Sequence, residues 1–471
     1  MGFFTNIKRA FAMLTARDMQ DVFDVKPLPY AESLKHIGIC RDVYAGRAPW
    51  VDDDHHIRSI GFAKNVCSEV ARLATLGIGV ELSGGSARAA WLQAEFDQKV
   101  YYNLRKWVEI SAAVGTCIIK PSGQSVDVIG PDNYAITDVK NGDIYGAAFA
   151  DSQYSQAADK WFTRLEYHRF EDDLYIVTNK CYIGDARGQK MKSVSIEATP
   201  WAGLAEEVVI AGLDRPLFGV LRMPMANNID MDSPLSLPLI SNALEELRDL
   251  DVAYSRNALE IFDSKRTVLL DSDRLFTSVI NTQKSNKFTR EAAVTSMDLP
   301  DFVKIISGEG HGDIYHEINP SLQTADRLTG INALLSQIGY KCGFSNGYFV
   351  FNKKSGVATA TQVEADQQRT VQLVKDVRDK LEKCLVDIFY TMDKFADLYN
   401  LAPAGKYDPV FDFGDILYSA TEDKARWYSY VVQGKIPFWY YLVKFEGMTE
   451  EDAKSLEAAA QTAGLDIPDE E

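Results

Sequence analysis

Cysteine is scarce in this chain. The six residues (Cys40, Cys67, Cys117, Cys181, Cys342 and Cys384) include no C-x-x-C or C-x-x-H spacing. That excludes the usual zinc motifs and a disulfide framework, and the thiols read as small core residues in a reducing compartment. Long apolar runs are also missing, since none reaches the ~18 residues that span a bilayer. The opening stretch, MGFFTNIKRAFAMLTAR, sets Phe4, Ile7, Phe11 and Leu14 on one helical stripe. It lacks the apolar centre and cleavage site of a signal peptide, and Asn6 stands where a myristoylation signal takes Ser or Thr. The expectation is an amphipathic helix over 1–19 that packs on protein. Positive charge is in deficit: 50 Lys and Arg against 67 Asp and Glu leave a net charge of −17. A tight nucleic-acid binder needs a basic surface, so that class is disfavoured, but a protein that lets a polyanion pass without holding it is not.

Signatures of catalysis are lacking as well. No G-x-x-x-x-G-K-[ST], G-x-S-x-G or H-E-x-x-H occurs. GEGHGD (Gly308 to Asp313) has the wrong spacing for a phosphate loop and reads as a hinge. Asp52-Asp53-Asp54-His55-His56 reads as a cap with acidic first-turn residues ahead of a helix, in preference to a cation site. His36, His168, His311 and His316 have no partner spacing that suggests a triad or metal site. The expectation is therefore no catalytic residue, no metal and no cofactor.

What is present is ordinary globular material, 471 residues with 46% hydrophobic and 25% charged, enough for about three domains. Apolar periodicity predicts helices over 55–76 and 86–114. Residues 116–222 alternate in short runs (TCIIKP, SVDVIG, WFTRLEYHRF, DLYIVT) that predict an antiparallel sheet. A Pro- and Asp-rich linker over 225–238 leads to a helix over 239–262, with Ile240, Leu244, Leu247, Leu250 and Tyr254 on one face. A small segment with β-like ends covers 265–310. A helix over 320–342 follows, then FVFNKKSGVATATQ (349–362), then an unusually long helix from about 357 to 399 that is expected to kink. A strand, YDPVFDF, and three short helices complete the chain, the last opening on Thr449 as N-cap.

Three stretches carry a family resemblance. INALLSQIGYKCGFSNGYFVFNKKSGVATATQVEADQQRT, CRDVYAGRAPW and FDFGDILYSATEDKARWYSYVVQGKIPFWYYLVKFEGMTEEDAKSLEAAA resemble, in that family's order, the portal (head–tail connector) protein of tailed double-stranded-DNA bacteriophages, siphophage type. Gln362 stands where the family commonly has Glu, and the N-terminal segment has no counterpart. The resemblance implies an α+β portal fold: a mixed α/β wing (20–235), a two-helix stem (236–264 and 318–343) and a small α/β clip (265–317). It also implies a tunnel loop (344–358), a long kinked wing helix with a strand (359–419) and a helical crown (420–471). It implies a homo-oligomeric ring of usually twelve subunits at one capsid vertex, assembled in the bacterial cytoplasm. DNA would pass through it without sequence specificity during packaging and ejection. Terminase, a head-completion adaptor, and the major capsid and scaffold proteins would be its partners. On that mapping Asn352, Lys353, Lys354 and Ser355 face the channel, with Gly347 and Gly356 as hinges, and the lysines guide DNA weakly in an otherwise repulsive tube. Leu244, Leu247, Leu328 and Leu335 are expected to pack the stem between subunits. A soluble multidomain enzyme with an unrecognised site, or a minor capsid or adaptor protein, remains the alternative.

Overall fold

The chain is a mixed α+β protein. The computed structural model describes residues 9–11, 16–52, 54, 56–122, 125–264, 267–271, 303–306, 315–318, 323–351, 360–414, 420–433 and 435–462. At the N-terminal side, β1 (Arg9–Phe11) is a strand, where an amphipathic helix was expected. It pairs with residues 151–153 of a long strand, beyond the point where that strand's other neighbour stops, so it satisfies main-chain groups left open there. Helices α1 (Ala16–Phe23) and α2 (Ala31–Tyr44) follow.

Helix α3 (Phe62–Ala74) begins later than its sequence pattern suggested. Asp52 pairs its backbone with Ile57, and Asp54 N–H donates to Asp52 Oδ1 at 2.9 Å, so these aspartates shape a turn and cap no helix. The helix starts after Gly61, which sits at φ 69. After β2 (Gly79–Ser83), the expected single helix over 86–114 is two, α4 (Ala87–Lys99) and α5 (Leu104–Val114), separated by one 3₁₀ turn. The apolar stripe still runs through the break: Phe96, Val100, Leu104 and Trp107 are all buried.

The alternating region forms two antiparallel sheets. β3 (Thr116–Ser122) lies between β4 (Ser125–Ile129) and β11 (Gly219–Arg222). The larger sheet comprises β1, β5 (Tyr134–Lys140), β6 (Asp143–Ser155), β7 (Lys160–Glu171), β8 (Leu174–Gly184), β9 (Lys192–Val194) and β10 (Glu207–Ala211). Asn141 and Gly142, at φ 52 and 82, make the tight β5–β6 turn that a two-residue hairpin loop requires.

The 225–238 segment is irregular, as its composition suggested, and it delivers the chain to α6 (Leu244–Asp263). Strands β12 (Thr267–Asp271), β13 (Val303–Ile306) and β14 (Tyr315–Ile318) form a small sheet in the order β13-β12-β14, with β12 parallel to β13. Helix α7 (Thr324–Lys341) returns alongside α6. Helix α8 (Ala360–Leu398) is one continuous helix of 39 residues, about 58 Å at ~1.5 Å per residue. Its buried stripe (Val374, Val377, Leu381, Leu385, Ile388) keeps the helical period and packs on β3, β11 and α3 in the main core. β15 (Asp408–Asp412) pairs with β2. Helices α9 (Ala420–Val432), α10 (Phe438–Glu446) and α11 (Glu450–Thr462) share a separate core of Val431, Tyr441, Leu442 and Ala453. Thr449 caps α11 as read from sequence, its Oγ1 accepting from Asp452 N–H at 3.2 Å.

All six cysteines are buried and unpaired. No helix among the described residues is long and apolar enough to cross a membrane.

Candidate functional site

The α6–α7 hairpin and the loop that leaves it are the most distinctive feature. Its base is set in the core through Leu247, Leu250, Ile331, Leu335 and Ile338. Its distal half is not: no described side chain is buried over 256–262 or 323–330. The hairpin therefore projects from the core, with the β12–β14 sheet joined to its far end. Ion pairs tie the two helices at both levels. Lys341 Nζ meets Glu246 Oε1 at 2.6 Å near the base, and Arg327 pairs with Glu260 towards the tip. The projecting part exposes apolar side chains, with Tyr254 44%, Ile261 51% and Phe262 66% accessible.

A turn of the main chain follows α7. Gly343 adopts φ 90, and Phe344 drops into the core. Ser345 and Thr370 exchange bonds: Ser345 N–H donates to Thr370 Oγ1 at 2.8 Å, and Thr370 N–H donates to Ser345 Oγ at 3.2 Å. Phe349 packs edge-on against Phe62 and Phe344 and lies against Gly339, where a Cβ would come within 3.1 Å of its ring. The chain then folds back along α7. Phe351 N–H donates to Asn332 Oδ1 at 2.9 Å, and Asn332 Nδ2 donates to Phe351 O at 3.3 Å. Tyr348 hydrogen-bonds Glu69, itself held by Arg72, and burial followed by that carboxylate pushes its phenol up to about 12.

Gly347 has the left-handed φ of 71 expected of a hinge, but its N–H donates to Ser336 Oγ at 3.2 Å, so the loop is pinned at this point. Asn352, Lys353, Lys354, Ser355 and Gly356 lie outside the described residues. So does GEGHGD. Leu247 and Leu335, expected between subunits, lie in the subunit's own core, whereas Leu244 and Leu328 are half-buried.

Sequence reasoning missed a buried charge cluster between the two sheets. Glu166 Oε2 meets Lys120 Nζ at 2.5 Å and Arg164 Nη2 at 2.7 Å, while Glu166 Oε1 faces His168 Nε2 at 2.7 Å. His168 Nδ1 lies 2.7 Å from the Tyr175 hydroxyl. Burial alone would raise the Glu166 carboxyl, but Arg164, Lys120 and His168 hold it well below the carboxylate range. Burial lowers His168 against the opposing pull of Glu166. Each member pairs with another, although Arg164 Nε has no hydrogen-bond partner, so the cluster joins the two sheets. No group of three or more potential metal ligands occurs among the described residues.

In comparison with known proteins, no family model matches the chain and no curated protein matches it.

Proposed function

We propose that the chain is the subunit of a portal ring through which double-stranded DNA enters and leaves a capsid. The observation that carries this reading is the projecting helix pair. It is buried at its base and unburied along its distal half, and it joins a small sheet at its tip. A chain folded back along its flank leads towards Lys353 and Lys354. Neighbouring copies would cover the exposed apolar positions of the hairpin, because an isolated subunit leaves them in water. The net charge of −17 fits a conduit, since each phosphate contact would add affinity and slow sliding. The two lysines per copy would touch the DNA backbone weakly and without regard to sequence.

On this reading the small sheet and residues 272–302 meet the terminase motor and later a head-completion adaptor, and the rest of the ring is held by capsid and scaffold proteins at the vertex. Negative-stain images and sedimentation of the purified chain test the reading. Closed rings of many copies are expected. A monomer or dimer over a wide concentration range would overturn it and favour the enzyme alternative.

A further inference from the structure

One groove on this acidic chain has the opposite balance of charge. It lies between the β5–β6 turn, β11 and the middle of α8, with a volume of about 510 Å³. Three of its carboxylates are already engaged. Asp143 takes Lys383 Nζ at 2.7 and 2.8 Å, while Asp387 and Asp214 lie 3.2 and 3.7 Å from Arg215. Two further cations line the groove without an ion-pair partner among the described residues, Lys380 and Arg222. Lys380 is exposed. Arg222 is partly buried: Nη1 donates to Gly142 O at 2.6 Å, and the buried Nε and Nη2 have no hydrogen-bond partner. Asp143 acts on this guanidinium, but buried N–H groups without an acceptor are costly, and an anion in the groove would relieve that cost. The lining also includes Ile144, Pro216, Phe218 and Val220, so an occupant with apolar as well as acidic groups fits better than a bare ion.

The chain itself contains such a segment. Nine residues follow α11, AGLDIPDEE (463–471), with Asp466, Asp469, Glu470 and Glu471, no basic residue, and Leu465 and Ile467 between them. A nine-residue segment spans at most roughly 30 Å. We propose that the groove beside Lys380 and Arg222 receives this acidic segment, from the same copy or a neighbouring one, as a latch between the three-helix unit and the sheet. The inference does not rest on the portal reading, since the groove and the segment belong to one chain.

Zero-length carbodiimide crosslinking of the full chain, read by mass spectrometry, tests it. Lys380 should link to Asp466, Asp469, Glu470 or Glu471, and the yield should fall several-fold in high salt. The Lys383–Asp143 pair is the internal control, because it must link in the same sample. Mixing heavy-isotope and ordinary chains tells a neighbour's segment from the subunit's own, and either origin upholds the latch. Full-chain Asp466→Asn/Asp469→Asn/Glu470→Gln/Glu471→Gln should raise hydrogen exchange over 141–145. Linked control pairs with no link from Lys380 to 463–471, together with unchanged exchange in the variant, would overturn the proposal.

Discussion

Gly115 decides how the irregular segment before α6 is seated. It has φ 83, and a Cβ there would lie 2.0 Å from Ser236 O and 2.7 Å from Leu237 C, both backbone atoms. Around it, Leu239 N–H donates to Ala112 O at 2.9 Å, Met223 N–H donates to Gly115 O at 2.8 Å, and Ser236 N–H donates to Thr116 Oγ1 at 2.9 Å. Gly115→Ala should therefore cost about 3 kcal/mol or more, because strain and a backbone clash act together. Denaturant unfolding would read this, and a loss below ~1 kcal/mol would refute the account. The Glu166 cluster makes a second prediction at this scale. His168 is lowered from its ordinary 6.5, so the unfolded chain binds more protons below that pH and stability falls on acidification. Glu166 is held below its ordinary 4.5, so its contribution is present above that value and is lost at lower pH still. Asp151 and Tyr175 are the other titratable groups facing the cluster. Denaturation at pH 7.5, 6 and 5 should show a stability decline that His168→Gln flattens between 6.5 and 5. An unchanged slope in that variant would mean His168 is not the group responsible. This cluster was legible in part. TRLEYHRF puts Arg164, Glu166 and His168 on one face of a strand, and charge on a face next to apolar neighbours signals a buried network. Lys120 could not be found that way, because it comes from the other sheet.

At the scale of elements, long periodic segments were legible and their ends were not. Helix α8, the sheet region, the hairpin helices and the Thr449 cap follow from pattern and cap chemistry. The misreadings share a cause: a tertiary partner overrode a local preference. Arg9–Phe11 joined an open strand edge despite a helical stripe, and the Asp52 turn is held because Asp251 of α6 accepts from Trp50 Nε1 and Ile60 N–H, each at 2.8 Å. Buried arginines were equally invisible to periodicity. Arg88, on α4, donates to carbonyls of Asp393 near the end of α8 and of Ala402 and Pro403 beyond it, and Arg378 donates to those of Leu73 and Ala74 at the end of α3. In the loop after α7, Phe349 packs on α3 and α7, and the link to α8 runs through Ser345 and Thr370. Thr370→Val should leave the buried Ser345 amide without an acceptor and cost about 1–3 kcal/mol. Hydrogen exchange should rise over 344–351 while the middle of α8 stays protected. Unchanged exchange over 344–351 would show that the aromatic contacts alone fix the loop.

For the whole molecule, burial within one copy says which surfaces remain for others. Leu335 is 1% exposed, so an acidic residue there would disrupt the subunit's own core and would report nothing about assembly. Ile261 is the better probe, being 51% exposed on the projecting half of α6. Ile261→Asp should leave the melting transition of the subunit unchanged while shifting sedimentation towards smaller species, because only a neighbour would bury that charge. Rings of unaltered size and salt resistance would remove the hairpin from the inter-subunit contact. The lysine pair tests the channel itself. Phe351 is fixed to Asn332, so Lys353 and Lys354 begin within two residues of an anchored point on the flank of the hairpin. If that flank lines the bore, every copy adds two positive charges facing DNA, opposed by the carboxylates of an acidic chain. Contacts of this kind are screened within about 8 Å at physiological salt, so they would bias the path of DNA without arresting it. Lys353→Glu/Lys354→Glu should assemble into rings of normal size, since the exposed apolar positions of the hairpin proposed to meet a neighbour are unchanged. The same rings incorporated into capsids should package less DNA or lose it sooner, with the deficit largest at low ionic strength, where repulsion of the polyanion is least screened. Normal DNA content and normal retention at low salt would show that the two lysines do not guide DNA, even if the ring reading stands.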